Sequence, residues 1–378
     1  MKIKSIQCND HPILGNLRMD FTDKAGNTLD TIVLAGINGS GKTTVLKAIW
    51  DSFPALHYTP KEGIDLELDF SKIPAFTGLE IDWNYLLKIK SGILYMPTEI
   101  NIEQLKTKDL SYSSPNRFSN IVNQRTMLDI PSFLASQINS EILKNAELPA
   151  KDSINRICGQ INSLFESLEI DAKLVGLSPE TKLPIFKNSG DQEFDINGLS
   201  SGEKQLFVRA LTLKMMGINN GVILVDEPEI SMHPKWQQRI MKVYQSIGEN
   251  NQVIAATHSP HVVASVKKES VKILKRIDGK IEVTDYNEID GSYGLPVDVV
   301  LQDIMGLPST RDPEIQEKIE SLWDMIYKNK VEDSEFVELY KELEELLGSD
   351  DAALLSMQFE IAKRKAAKER GNAGNHQD

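Results

Sequence analysis

Two cysteines, Cys8 and Cys158, are all that this 378-residue chain holds. That leaves no disulfide framework and no cysteine-built metal cluster. No stretch approaches about 18 apolar residues in a row, so the sequence predicts no membrane-spanning helix. The opening, MKIKSIQCND, lacks the apolar segment of a signal peptide, and a cytoplasmic location is expected. Basic charge is also scarce: the formal net charge is −13. Such a balance argues against a DNA-coating surface while leaving room for a local basic groove. The clearest basic cluster is Lys363-Arg364-Lys365 with Lys368 and Arg370, which reads first as a solvated helix end suited to the helix dipole. There is no internal repeat, no long heptad run of the coiled-coil kind, and no Cys/His grouping of the zinc-nuclease kind.

What is present is an ordinary globular composition, 40% apolar and 26% charged, long enough for a sizeable core and two lobes. Within it stands Gly36–Thr44, GINGSGKTT. The run before it, Thr31-Ile32-Val33-Leu34-Ala35, is uninterrupted and β-branched, as a buried parallel strand would be. The run after it, Val45 to Trp50, has helical spacing. Strand, glycine turn and helix together make Gly-x-x-x-x-Gly-Lys-Thr a phosphate-binding loop. Its glycines let the N–H groups of Asn38, Gly39, Ser40 and Gly41 curl around an anion, and the helix adds its positive end. Lys42 then reaches the β- and γ-phosphates, the Thr43 hydroxyl holds Mg²⁺, and Thr44 continues the helix start. A nucleotide and Mg²⁺ are the ligands the loop predicts.

Three further stretches carry chemistry. Leu199-Ser200-Ser201-Gly202-Glu203-Lys204 opens a helix with a serine cap and an acid in the first turn, which offers a second anion site or simply a cap. Val222-Ile-Leu-Val-Asp226-Glu227 sets two carboxylates at the C-terminal end of a buried strand, where open α/β sheets bind ligands. Asp226 can hold Mg²⁺ through its water shell, and Glu227 can orient or deprotonate an attacking water. Gln252-Val-Ile-Ala-Ala-Thr257-His258-Ser259 ends a strand in a histidine able to donate to a γ-phosphate. His233, in Ser231-Met232-His233-Pro234, suits loop packing at least as well as chemistry.

Elsewhere the pattern predicts a small N-terminal sheet over 1–35, a strand over 92–96 and helices over 129–145 and about 154–168. The core is expected to resume with a strand at Lys182–Asn188. Strands follow over 221–225 and 251–257, with a hairpin at Asp278-Gly279. Beyond 291 the chain reads as helical. Asp312-Pro313 forms a start signal, followed by one stripe of Ile315, Ile319, Leu322, Trp323 and Ile326. A second stripe comprises Phe336, Leu339, Leu343 and Leu346. The tail GNAGNHQD reads as disordered.

In this order, GINGSGKT, LSSGEK, VILVDEPEIS and ATHS resemble the ATP-binding-cassette (ABC) ATPase superfamily, and its soluble SMC, RecF and OLD-like branch more than its transporters. The resemblance implies an α/β fold: a P-loop NTPase sheet in an ABC-type ATPase head with an inserted helical lobe, plus a C-terminal helical region. Residues 1–55 and 180–290 would form the core, 56–179 the lobe and 291–378 the C-terminal region. It further implies that the nucleotide is ATP and that two heads sandwich it, with Ser200, Ser201, Gly202 and Glu203 of one head meeting the phosphates held by Lys42 and Thr43 of the other. The signature departs from the transporters' Ser-Gly-Gly-Gln. The family's glutamine at the lobe entry has no placed match in the sequence, Gln104 and Gln124 being the two candidates.

The layout is similar to the ATPase subunit of Septu-type anti-phage systems and to retron-associated ATPases. That likeness implies a separate HNH nuclease partner, an oligomer of head dimers, and DNA met through the complex. Asp285, Glu288 and Asp290 lie in a turn-like segment without a nuclease framework, so no nuclease site is expected in the chain. Two other readings stand beside this one: a DNA-repair or chromosome-maintenance ATPase, and an assembly module that nucleotide glues with little turnover.

Overall fold

A computed structural model describes residues 1–53, 63–71, 73, 83–89, 91–98, 119–122, 124–285 and 290–374. The chain divides into two units, Met1–Met305 and Gly306–Asp378.

The larger unit is built on a seven-stranded sheet. From edge to edge the strands are Lys280–Thr284, Val271–Ile277, Thr31–Ala35, Gln252–Thr257, Val222–Asp226, Ile93–Met96 and Ser119–Ile121. All neighbours run parallel except the first pair, which is the hairpin turning at Asp278-Gly279. Every residue of Thr31–Ala35, Val222–Asp226 and Gln252–Thr257 is buried. Uninterrupted apolar runs form such strands because both faces are covered.

Alternation then sorts side chains between two cores. Val33, Ala35, Ile223, Val225, Val253 and Ala255 face one side. There they meet Phe133, Ile157, Phe165, Phe207 and Leu211 from the helices and turns of that face. Ile32, Leu34, Leu224, Ile254 and Ala256 face the other, against Leu46 and Ile49 of the helix Lys42–Asp51. A three-stranded antiparallel sheet, Arg18–Asp20, Lys2–Cys8 and Ile64–Asp69, packs its Ile3, Ile6 and Met19 into that second core.

Two expectations change in detail. The helical run expected through Leu168 is a helix only over Ala150–Asn162; a 3₁₀ turn, Ser163–Leu168, follows. Glu169, with φ +55°, ends it in a left-handed conformation that no helix can continue. The strand expected to resume the core is Pro184–Lys187, and it lies in a separate antiparallel sheet with Lys173–Leu177 and Glu193–Asp195. Its Phe186 packs edge-on against Phe207, with ring centroids 4.7 Å apart, and so ties that small sheet to the helix Ser201–Met216.

The Gly306–Asp378 unit holds the helices Pro313–Tyr327, Ser334–Leu347 and Ala352–Gly374. Asp312 caps the first by accepting from the Glu314 N–H at 2.9 Å. Leu322, Ile326, Leu343, Leu354 and Met357 form the shared core. Leu346, the last residue of the second stripe, is 60% exposed. In the basic cluster, Arg364 pairs with Glu360 at 2.8 Å and lies 5.0 Å from the Tyr327 ring centroid. That guanidinium therefore serves its own helix bundle.

Candidate active site

The phosphate-loop residues lie between the strand Thr31–Ala35 and the helix Lys42–Asp51. Gly36 is required by contact: a Cβ there would sit 2.4 Å from the Leu274 carbonyl and 2.6 Å from Ser40 Oγ. Gly39 and Gly41 have φ of +79° and +94°, a region that side chains rarely tolerate. Lys42 is buried, and its ammonium donates to the carbonyls of Gly36 at 2.8 Å and Ile37 at 2.9 Å. Burial lowers its pKa, against the opposing pull of Glu227, Asp226 and Glu229.

Thr43 and Asp226 are 183 residues apart in sequence, yet the threonine hydroxyl donates to Asp226 Oδ1 at 3.0 Å. Asp226 ends the strand Val222–Asp226, and burial raises its pKa. The hydroxyls of Thr43 and Thr98 and the Arg209 cation oppose that rise, while Glu227 adds to it. Glu227 follows with φ +48°, which for a residue with a side chain costs on the order of 1–2 kcal/mol. Its N–H donates to Ala256 at 2.9 Å, anchoring the turn to the neighbouring strand. His258, at the end of that strand, brings Nδ1 to 3.3 Å from Glu227 Oε1. Lys42, Thr43, Asp226, Glu227 and His258 are thus brought together from three strand ends.

The signature residues are engaged locally. Ser200 Oγ accepts from the Glu203 N–H at 3.3 Å, and Glu203 Oε2 accepts from the Ser200 N–H at 3.0 Å: a complete capping box. Gly202 lets the helix approach the segment after the carboxylates, since a Cβ would lie 2.7 Å from the Ser231 carbonyl. Gln104 lies outside the described residues, as does the side chain of Gln124, whose backbone opens the short helix Gln124–Met127. His233 caps the helix Pro234–Gln237 by accepting from the Lys235 N–H at 3.2 Å. Cys8 and Cys158 are free and buried, which pushes both thiols up to about 11.

Two residues of the site were not picked out from the sequence. Arg209, fully buried on the helix Ser201–Met216, donates from Nη2 to the Asp226 carbonyl at 2.9 Å. Glu229 is 4% exposed and accepts from the Thr257 hydroxyl. Glu229 stands two places after Glu227 in the same motif, and that spacing was its available signal. Arg209 left only the oddity of a cation within an apolar run.

The loop fits a polyphosphate by its own features: three glycines where side chains are excluded or strained, a buried ammonium, and a buried Ser40 hydroxyl with no hydrogen-bond partner among the described residues. Thr43 Oγ1 and Asp226 Oδ1 are hard oxygen donors close together, which suits Mg²⁺ that keeps part of its water shell.

The family model described as "AAA domain, putative AbiEii toxin, Type IV TA system" matches residues 32–264. The Septu protein PtuA of Bacillus thuringiensis is 28% identical over 355 residues, which is 84% of this chain and 87% of that protein. The "Retron Vc95 probable ATPase" of Vibrio cholerae serotype O1 biovar El Tor is 32% identical over 126 residues, 30% of this chain. The match spans only 24% of that retron protein's own length. Among solved structures, the SMC head domain from Thermotoga maritima aligns at 14% identity with a TM-score of 0.43, covering 75% of this chain and 99% of that one.

Proposed function

The chain belongs to this AAA-domain family and is an ATPase, and from that premise we propose that it is the nucleotide-driven regulatory subunit of an anti-phage defence complex. In this reading two heads sandwich ATP, and the assembly controls a separate HNH nuclease. The observation that carries the hydrolytic part is the pairing of Thr43 with Asp226 at 3.0 Å beside the buried Lys42. Residues from distant parts of the sequence make a phosphate and metal site with a candidate base next to it. The likeness to a Septu protein over most of both chains supports the defence part.

Lys42 exchanges its two loop carbonyls for phosphate oxygens of the substrate, an exchange that its partial desolvation favours. Thr43 and Asp226 hold Mg²⁺, which when bound neutralises charge on the phosphate oxygens. Glu227 orients the attacking water and takes its proton, and His258 donates to the terminal phosphate. Ser200, Ser201, Gly202 and Glu203 act on nucleotide gripped by a second copy. Closure of the pair is then a population shift set by contacts that only the triphosphate makes.

The test is a pull-down of the tagged chain from its native host, with mass spectrometry and a nuclease assay. A stoichiometric HNH protein is expected. Recovery of the chain alone, binding DNA with steep salt dependence, would overturn the defence reading in favour of repair.

A further inference from the structure

Glu229 has no part in the roles above, yet it is as deeply buried as Asp226, each at 4% exposure. Its Oε1 accepts from the Thr257 hydroxyl, and Thr257 Oγ1 accepts in turn from the Ser259 N–H at 2.9 Å. The same Oε1 lies 4.0 Å from His258 Nδ1, the nitrogen that is 3.3 Å from Glu227 Oε1. Its other oxygen, Oε2, has no hydrogen-bond partner among the described residues. Holding the Thr257–Ser259 turn needs only an acceptor, which a neutral amide supplies. A buried carboxylate is an expensive way to make that bond. What an amide would not supply is a second ionisable carboxyl beside the same imidazole nitrogen.

We infer that Glu229 is a positioning residue for hydrolysis. Together with Glu227 it brackets His258 Nδ1, fixes the orientation of the ring, and leaves Nε2 as the edge that donates to substrate. The inference rests on the reading of Glu227 and His258 as the hydrolytic pair. The charged groups around the cluster are Glu227 on the same turn, Lys42 on the phosphate loop and His258 on the strand end, with Asp226 and Arg209 behind. His261, on the following helix, turns Nδ1 toward Gln238 at 3.5 Å. Burial holds Glu229 above the usual carboxylate range and Glu227 adds to the rise, while the Thr257 hydroxyl and His258 oppose it.

The experiment is NMR of the nucleotide-free full chain carrying isotope-labelled histidine, with the His258 resonance assigned through His258→Gln. Glu229→Gln keeps the acceptor for Thr257 and removes the charge. The His258 ring ¹⁵N resonances are expected to shift from their wild-type positions. Hydrolysis by the same variant should lose about tenfold in kcat, with KM within about twofold. Glu229→Asp, which keeps the charge but withdraws it, should fall between the two and covers a poorly folding glutamine variant. Unmoved His258 ring resonances in a folded variant overturn the inference. A wild-type chain with no hydrolysis overturns the reading of Glu227 and His258 instead, and the two failures are separately visible.

Discussion

Gly36 and Gly39 sit three residues apart in one loop and should fail for different reasons when changed to alanine. At Gly36 the added Cβ meets the Leu274 carbonyl at 2.4 Å and Ser40 Oγ at 2.6 Å. The serine hydroxyl can rotate aside. The carbonyl cannot, because its strand is held in register on both sides, Ile273 against Ala35 and Leu274 against Val283. Overpacking of this kind costs about 1–3 kcal/mol, and a strained backbone adds on the order of 1–3. At Gly39 a Cβ meets nothing within 4 Å, so only the strain of φ +79° remains. That strain is worth about 1–2 kcal/mol. For a domain of this size each kcal/mol moves Tm by about 2–4 °C. Gly36→Ala should therefore lower the thermal midpoint by roughly 5–20 °C and Gly39→Ala by roughly 2–8 °C. Nucleotide affinity should fall more for Gly36→Ala, since moving the Leu274 strand also moves the loop. Differential scanning fluorimetry and calorimetric titration with Mg-ATP read both quantities. Equal losses, or a larger loss at Gly39, would refute the contact argument.

Glu227→Gln should bind ATP with near-unchanged affinity, lose about 10²–10⁴ in turnover and accumulate closed dimers by light scattering; wild-type turnover sinks its assignment as the base. Ser200→Ala should cost about 1 kcal/mol through the lost cap. Mixed with Lys42→Ala chains it should regain part of the activity, because one composite site per mixed dimer is then intact; no recovery counts against action in trans. Lys235 and Arg239 hold the exposed Glu169 carboxyl down at about 2. A lowered folded-state value stabilises above the usual carboxylate range and is lost as pH falls from about 4.5 toward 2. Glu169→Gln should flatten acid unfolding across that window, and because the pair is solvent-exposed, added salt should mimic the mutation. An acid transition identical in the two proteins would rule this out.

What could be read in advance follows from which residues carry local rules. Thr31–Ala35 and Val222–Asp226 were legible because a strand buried on both faces must be apolar at every position. Gly36–Thr44 was legible because its backbone admits few residue types. Pro184–Lys187 was legible as a strand but not in its sheet, since alternation reports that a strand forms and not what it packs on. Its place is set by the contact of Phe186 with Phe207, which no local pattern encodes.

Arg209 and Glu229 mark the physical limit. Periodicity assigns a helical cation to solvent, but Leu206, Phe207, Val208, Ala210 and Leu211 around Arg209 are all buried, so this helix has no solvent face there. An acid after Pro228 is ordinarily a solvated loop residue, whereas here the loop folds back over the sheet and buries it. A buried charge becomes intelligible only through its partner. For Arg209 the partner is the carbonyl of Asp226, and for Glu229 it is the Thr257 hydroxyl beside His258. Both partners are strand ends that the tertiary fold brings close. In the proposed site, these two hidden groups fix the turns behind the visible carboxylates and histidine. Removing either should leave nucleotide binding by Lys42 largely intact while loosening the hydrolytic geometry, a separation of binding from turnover that loss of Lys42 itself cannot produce.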